Sequence, residues 1–257
     1  MLLLISQVSM VAHGTYPNVL LGYTGVNEDL NGDGVKDAVI YYADAGRSYT
    51  DSVVVYDGVS NTPLAVFDGT SSRYPTHHYP LSSSRLLVIY TVPSGYEYEV
   101  YDNLTLDYTG GPVSADVYDF DDLTGDGVRE ILIYYGDSVE IYDGSDPTVK
   151  LVTYYKPTSA SMWTGFPMGD GRILLGYLTT SGTVYFEVYE NFTDLVYTSP
   201  SRTASGYFSL VAMDYDGDGL LEILFHIPHP SAFYTYETPY PASLMRKDGL
   251  RGWKDIR

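Results

Sequence analysis

Cysteine is absent from the 257 residues, so no disulfide holds this chain and thiol chemistry is excluded. Basic residues are scarce. Lys and Arg number 14 against 33 Asp and Glu, for a formal charge of −19 and an isoelectric point near 4.3. A surface of that sign repels phosphate backbones and excludes nucleic acid as a partner. No apolar run reaches the roughly 18 residues of a transmembrane helix. A helical apolar period is missing as well, and so are the Gly-x-Ser-x-Gly elbow and the nucleotide-binding glycine loop. The histidines offer little. His77 and His78 are adjacent and point to opposite faces of a strand, His226 and His229 flank Ile-Pro, and His13 stands alone. No catalytic residue and no transition-metal site is assigned.

What is present is three short acidic loops. They run Asp29-Leu-Asn31-Gly-Asp33-Gly34-Val35-Lys-Asp37, Asp122-Leu-Thr124-Gly-Asp126-Gly127-Val128-Arg-Glu130 and Asp214-Tyr-Asp216-Gly-Asp218-Gly219-Leu220-Leu-Glu222. Oxygen side chains fall at positions 1, 3, 5 and 9, with glycine at positions 4 and 6. Such a run can turn its oxygens toward one point, and calcium is the hard cation that takes six to eight of them. Glycine at position 6 permits the sharp left-handed turn. The loops are not EF-hands. Position 12 is Ile40, Ile133 or Phe225, none of which can ligate, so Asp37, Glu130 and Glu222 are expected to close the sites. Val35, Val128 and Leu220 at position 7 are expected to offer backbone carbonyls. About three calcium ions are expected, held by ten carboxylates distributed three, three and four.

Each loop leads into a strand-like run of β-branched and aromatic residues, at Ala38–Tyr42, Ile131–Tyr135 and Ile223–Ile227. Two similar runs, Leu86–Tyr90 and Ile173–Tyr177, lack an intact acidic loop. A second marker repeats: Val55-Tyr56-Asp57, Val100-Tyr101-Asp102, Ile141-Tyr142-Asp143, Val188-Tyr189-Glu190 and Thr235-Tyr236-Glu237. Its tyrosines lie 45, 41, 47 and 47 residues apart. The pattern predicts units of strand A, loop, strand B, turn, strand C, turn and strand D, the signature of a propeller blade. The marker tyrosines are expected to pack between blades, and the acid after each to begin the C–D turn.

These loops and the runs after them resemble FG-GAP and VCBS-type repeats, as in the propeller of integrin α chains. The resemblance covers roughly residues 19–248. It implies an all-β propeller of four-stranded antiparallel blades forming a single domain over 1–257, in units of about 19–69, 70–111, 112–157, 158–204 and 205–248. The metal motif matches in units one, three and five. Thr124 departs from it at position 3, and a clear Phe-Gly or Gly-Ala-Pro signature is missing. Five blades are expected, with six as the alternative if the chain ends form a composite blade. Met1–Ile5 then reads as a strand rather than a secretory leader, since it lacks a basic start. Trp253 could supply a closing strand.

The functional expectation is a calcium-stabilised, non-enzymatic recognition or adhesion module, outside the cell or on a surface, binding protein or carbohydrate. Simple calcium loops of extracellular modules bind at roughly 10⁻⁴–10⁻³ M, too weakly for cytosolic calcium. The alternatives are a polysaccharide-active enzyme like a propeller lyase, and a purely structural or assembly role. The loops should share one face. Ligand contacts are expected on the other, at Arg47, Tyr49, Arg73, Tyr74, Tyr96, Trp163 and the stretch from His229 to Phe233.

Overall fold

A computed structural model describes residues 22–23, 29–42, 51–60, 62–169, 171–204, 206–213, 215, 220–228 and 231–241. Met1–Ile5, Arg47, Tyr49, His229 and Trp253 lie outside the described residues, as do Asp214, Asp216 and Asp218 of the third loop. The described residues contain no helix, and none is therefore long and apolar enough to cross a membrane.

The strands form five antiparallel sheets in chain order. The first holds β1 (Gly22–Tyr23), β2 (Ala38–Tyr42), β3 (Ser52–Tyr56) and β4 (Pro63–Asp68). The second holds β5 (Tyr74–Pro80), β6 (Arg85–Val92), β7 (Gly95–Asp102) and β8 (Thr105–Val113). The third holds β9 (Asp116–Asp119), β10 (Ile131–Tyr134), β11 (Ser138–Tyr142) and β12 (Lys150–Tyr155). The fourth holds β13 (Ala160–Gly169), β14 (Arg172–Thr179), β15 (Thr183–Glu190) and β16 (Asp194–Thr198), with β17 (Arg202–Thr203) also pairing with β15. The last holds β18 (Ser209–Met213), β19 (Leu220–Pro228) and β20 (Ser231–Pro241). Apart from β17, neighbours in space are neighbours in sequence in every sheet, so each is a meander.

The second strand of the second, third, fourth and last sheets is covered on both faces, which explains its apolar run, whereas in β2 only Val39 is fully buried. Ile131–Tyr134 is buried throughout, and so are Leu86 to Tyr90. Alternate side chains of these strands enter different cores. Leu86, Val88 and Tyr90 meet Val39, Val53, Val55 and Phe67 of the first sheet, whereas Leu87 and Ile89 meet Val117, Ile131 and Ile133 of the third. Trp163, Leu175 and Tyr177 close a core with the third sheet, and Leu174, Phe186 and Val188 one with the last. Four cores thus fill four seams between consecutive sheets. Meanders stacked face to face in chain order are the blades of a β-propeller.

Four of the marker tyrosines, Tyr101, Tyr142, Tyr189 and Tyr236, pack against the seam cores, whereas the Tyr56 hydroxyl bonds that of Tyr42 in its own sheet. Tyr101 packs on Phe67 of the preceding blade with ring centroids 4.6 Å apart, and Tyr189 on Tyr154 at 5.5 Å. The acids after the markers divide by blade. Asp57 accepts hydrogen bonds from the amides of Val59 and Ser60, and Asp143 from those of Ser145 and Asp146, so each starts its turn. In the second and fourth blades Asn103-Leu104 and Asn191-Phe192 turn the chain through positive φ instead. A bulky residue there is strained. Leu104 and Phe192 are held by packing against the seam cores, and the Phe192 amide also donates to the Gly171 carbonyl at 3.0 Å.

Candidate metal centre

The acidic loops join strands A and B, and the first two meet the C–D turns of their own blades. Gly58 donates its N–H to Asp37 at 3.1 Å. A Cβ on Gly58 would lie 2.1 Å from the Lys36 carbonyl, and one on Gly144 would lie 1.8 Å from that of Arg129. The third-unit Asp143-Gly144 therefore repeats the first-unit Asp57-Gly58, each glycine admitting position 8 of its acidic loop. Loops are also stitched between blades. The Arg129 amide donates to the Leu81 carbonyl at 2.7 Å, and the Gly171 amide to that of Leu123 at 2.5 Å.

Position 9 plays the same part in all three loops. The amide of position 2 donates to its carboxylate: Leu30 to Asp37 at 2.8 Å, Leu123 to Glu130 at 2.7 Å and Tyr215 to Glu222 at 2.6 Å. These acids are buried, at 2%, 0% and 4% exposure. Glu130 also accepts the Thr124 amide at 3.1 Å. Burial pushes the Glu130 carboxyl up to about 8, with the nearby Asp122 charge adding to it and the amides of Leu123 and Thr124 opposing. Position 2 itself is a buried leucine in the first two loops, pinned into the seam core, and an exposed tyrosine in the third.

The remaining side chains turn onto the loop backbone. Asp29 accepts the amides of Gly32, Asp33 and Gly34 at 2.7, 3.0 and 2.6 Å. Asp122 accepts those of Gly125 at 2.7 Å and Gly127 at 2.9 Å. Asn31 accepts the Asp33 amide at 2.9 Å. At position 5, Asp33 and Asp126 accept the amides of Val35 and Val128, both at 2.8 Å. Gly32, Gly34, Gly125 and Gly127 all have positive φ with open space where a Cβ would stand, so backbone conformation is what requires glycine there. Leu220 opens β19, and of the third loop only Tyr215, Leu220, Leu221 and Glu222 are described.

These loops are built of hard oxygen donors, which fits calcium in chemistry. In geometry, each loop closes on itself through amides. Among the described residues no three Asp, Glu or His side chains gather around one point. The double use of position 9, as candidate ligand and as buried amide latch, was not read from the sequence. The repeated nine-residue spacing is the signal that carried it.

On the other candidates the structure makes a correction. Trp163 is not a ligand contact. It is 0% exposed, lies in β13 within the core between the third and fourth blades, and donates its indole N–H to the Gly136 carbonyl at 3.2 Å. A Trp in a sequence of loops and short strands reads as an exposed anchor, but here it fills a seam. Arg73 is committed to its own blade, pairing with Glu97 at 2.8 Å and Glu99 at 2.5 Å over the Tyr90 ring. Tyr74 and Tyr96 are half-buried, and Phe233 is exposed. His77 and His78 do face opposite ways. His77 stacks on Tyr79, while buried His78 bonds the Tyr41 hydroxyl at 2.6 Å across the first seam.

No family model matches the sequence, and no curated protein matches it. Solved structures match the fold. The crystal structure of the eukaryotic initiation factor aligns with 90% of this chain and 54% of its own at 12% identity, with a TM-score of 0.53. The Dos1 propeller aligns over 85% and 54% at 11% identity, TM-score 0.49. The WD40 domain of coronin from Toxoplasma gondii aligns over 79% and 56% at 10% identity, TM-score 0.45. The chain spans about half the length of each of these. Likeness at such identities is one of fold, and it is the stacked meanders of the chain itself that make the fold a β-propeller.

Proposed function

We propose that this protein is a calcium-stabilised recognition propeller of the FG-GAP/VCBS type, working outside the cell or on a surface. One observation supports it above the others. Glu130 is a fully buried carboxylate whose partners are two amides, with the Asp122 charge nearby, in a loop whose pattern occurs three times in the chain. Burying an acid without a counter-charge is costly. A divalent cation bound by Asp122, Thr124, Asp126, Val128 and Glu130 would supply that charge. Asp29, Asn31, Asp33, Val35 and Asp37 would serve likewise in the first blade, and Asp214, Asp216, Asp218, Leu220 and Glu222 in the third loop. The ion's part is to fix the A–B loops, and through the Leu81 and Leu123 carbonyls the register of neighbouring blades. Recognition of a protein or carbohydrate is then left to the opposite face.

The test is thermal unfolding in millimolar calcium and in chelator, with bound metal counted in the same sample. About three ions and a large fall in Tm on chelation are expected. No bound ion and an unchanged Tm would reduce the loops to amide-closed turns and remove the ground for an extracellular site of action.

A further inference from the structure

Strand C carries a second recurring element, a glutamate two residues before the marker tyrosine. It stands as Glu99-Val-Tyr101, Glu140-Ile-Tyr142 and Glu187-Val-Tyr189 in the second, third and fourth blades. In each the tyrosine hydroxyl donates to the glutamate, at 2.8 Å for Tyr142 and for Tyr189. The strand registers superpose the three sites. Val88, Ile133 and Leu175 of strand B pair with the three glutamates, and Tyr90, Tyr135 and Tyr177 follow two residues later.

In two blades the chain itself provides the cation. Glu99 is met by Arg73, whose guanidinium carbon lies 3.5 Å from the Tyr90 ring centroid. Glu140 is met by Lys150 at 2.8 Å. In the fourth blade both supplying positions are uncharged. Arg73 precedes Tyr74, which pairs with Thr91, the residue after Tyr90; Ser161 precedes Met162, which pairs with Leu178, the residue after Tyr177. Lys150 pairs with Tyr142, and its counterpart Leu195 pairs with Tyr189. Glu187 is left with the hydroxyls of Tyr177 and Tyr189 and with the Tyr185 ring, which stands where the second blade has Glu97. Tyr177 and Tyr185 pack with centroids 5.0 Å apart. No cationic side chain pairs with Glu187 among the described residues.

We propose that half-buried Glu187, walled by Tyr177, Tyr185 and Tyr189, binds an external organic cation, an ammonium or guanidinium group. A carboxylate within aromatic walls attracts such a group by charge and by the ring faces together. The chain's charge of −19 favours a cationic ligand's approach. The site stands apart from the acidic loops, and the inference does not rest on calcium.

The experiment titrates n-butylammonium, and separately the peptide acetyl-Gly-Lys-Gly-amide, into the full chain at constant ionic strength, following tyrosine ring resonances. Saturable binding is expected. Glu187→Gln should weaken it about ten-fold or more, while Glu140→Gln, which removes the same charge one blade away, should leave it unchanged. Ser161→Arg should restore the internal cation and block binding; it also decides the matter if Glu187→Gln fails to fold. Tighter binding of the peptide would identify the ligand as a protein side chain, and equal binding a free amine. Absence of saturable binding, equal affinity in Glu187→Gln, or undiminished binding in Ser161→Arg would overturn the proposal.

Discussion

Leu123 and Glu130 are joined across their loop by an amide-to-carboxylate hydrogen bond of 2.7 Å, and the Leu123 carbonyl accepts the Gly171 amide of the next blade at 2.5 Å. One peptide segment thus links a buried acid to the neighbouring blade's A–B turn. Glu130→Gln tests what the acid contributes. Its amide oxygen can replace one of the two bonds to Leu123 and Thr124, while its NH₂ group opposes the other donor. In chelator the loss should be about 1–2 kcal/mol. In millimolar calcium it should be larger, because a charged ligand goes as well. Unfolding midpoints of the variant in both media decide this. Equal losses would strike Glu130 from the ligand set and leave it as the latch alone.

Thr124 offers the converse test. It is exposed and stands where the third loop has Asp216. Thr124→Asp adds a fourth carboxylate to its loop. Calcium affinity tracks ligand charge, so the variant should bind more tightly. Without metal the added charge faces Asp122, Asp126 and Glu130 and should lower Tm. The expected signature is a wider gap between the calcium and chelator midpoints than in the parent chain. A gap that narrows or stays the same would count against these side chains sharing an ion.

Much of this architecture was legible in the sequence because its signals are local. The runs after the loops are almost wholly apolar, His226 excepted, and a strand buried on both faces, as Ile131–Tyr134 is, needs that. Tyr101 and Tyr189 were expected between blades and lie there. Asp57 and Asp143 were expected to begin turns and do so. What escaped depends on partners distant in the chain. Trp163 was read as an exposed contact because nothing nearby in sequence shows that Tyr134 and Gly136 of the preceding blade enclose it. The Glu-x-Tyr repeat in strand C was visible as letters. Its meaning required the register that sets Ser161 at the place of Arg73. Position 9 was read as a ligand from its oxygen, but its latch to position 2 needed the folded loop.

The glycines of the loop face separate two costs that the sequence shows alike. Gly125 has positive φ and open space around its absent Cβ, so Gly125→Ala should cost only the left-handed strain of about 1–2 kcal/mol. Gly144 has no positive φ, but a Cβ there would sit 1.8 Å from the Arg129 carbonyl. Relief demands moving the loop away from the C–D turn. Gly144→Ala should therefore cost more than Gly125→Ala, and Gly58→Ala should behave in the same way against Lys36. Chemical denaturation of the three variants in calcium orders them. A Gly144→Ala variant as stable as Gly125→Ala would show that loop and turn are not in contact in solution.

His78 predicts how the fold responds to acid. It is 9% exposed, bonded to the Tyr41 hydroxyl across the seam of the first two blades, with His77 beside it. Burial, and then the His77 charge, brings its pKa down from 6.5 to about 4. Above 6.5 the imidazole is neutral folded or unfolded, and stability is full. Between 6.5 and 4 the unfolded chain takes up a proton that the folded chain refuses, so stability falls with pH, by on the order of 2–3 kcal/mol in total. His77, also lowered by burial, adds a slope of the same sign. His78→Phe keeps a ring in the seam and cannot titrate. It should cost about 1 kcal/mol at pH 8, where the hydrogen bond between Tyr41 and the imidazole is lost, and show a shallower decline toward pH 4. Unfolding free energies of both chains from pH 8 to pH 4, in chelator so that calcium linkage does not enter, make the comparison. Parallel curves would place the acid sensitivity elsewhere and leave the Tyr41–His78 pair a packing contact without an electrostatic role.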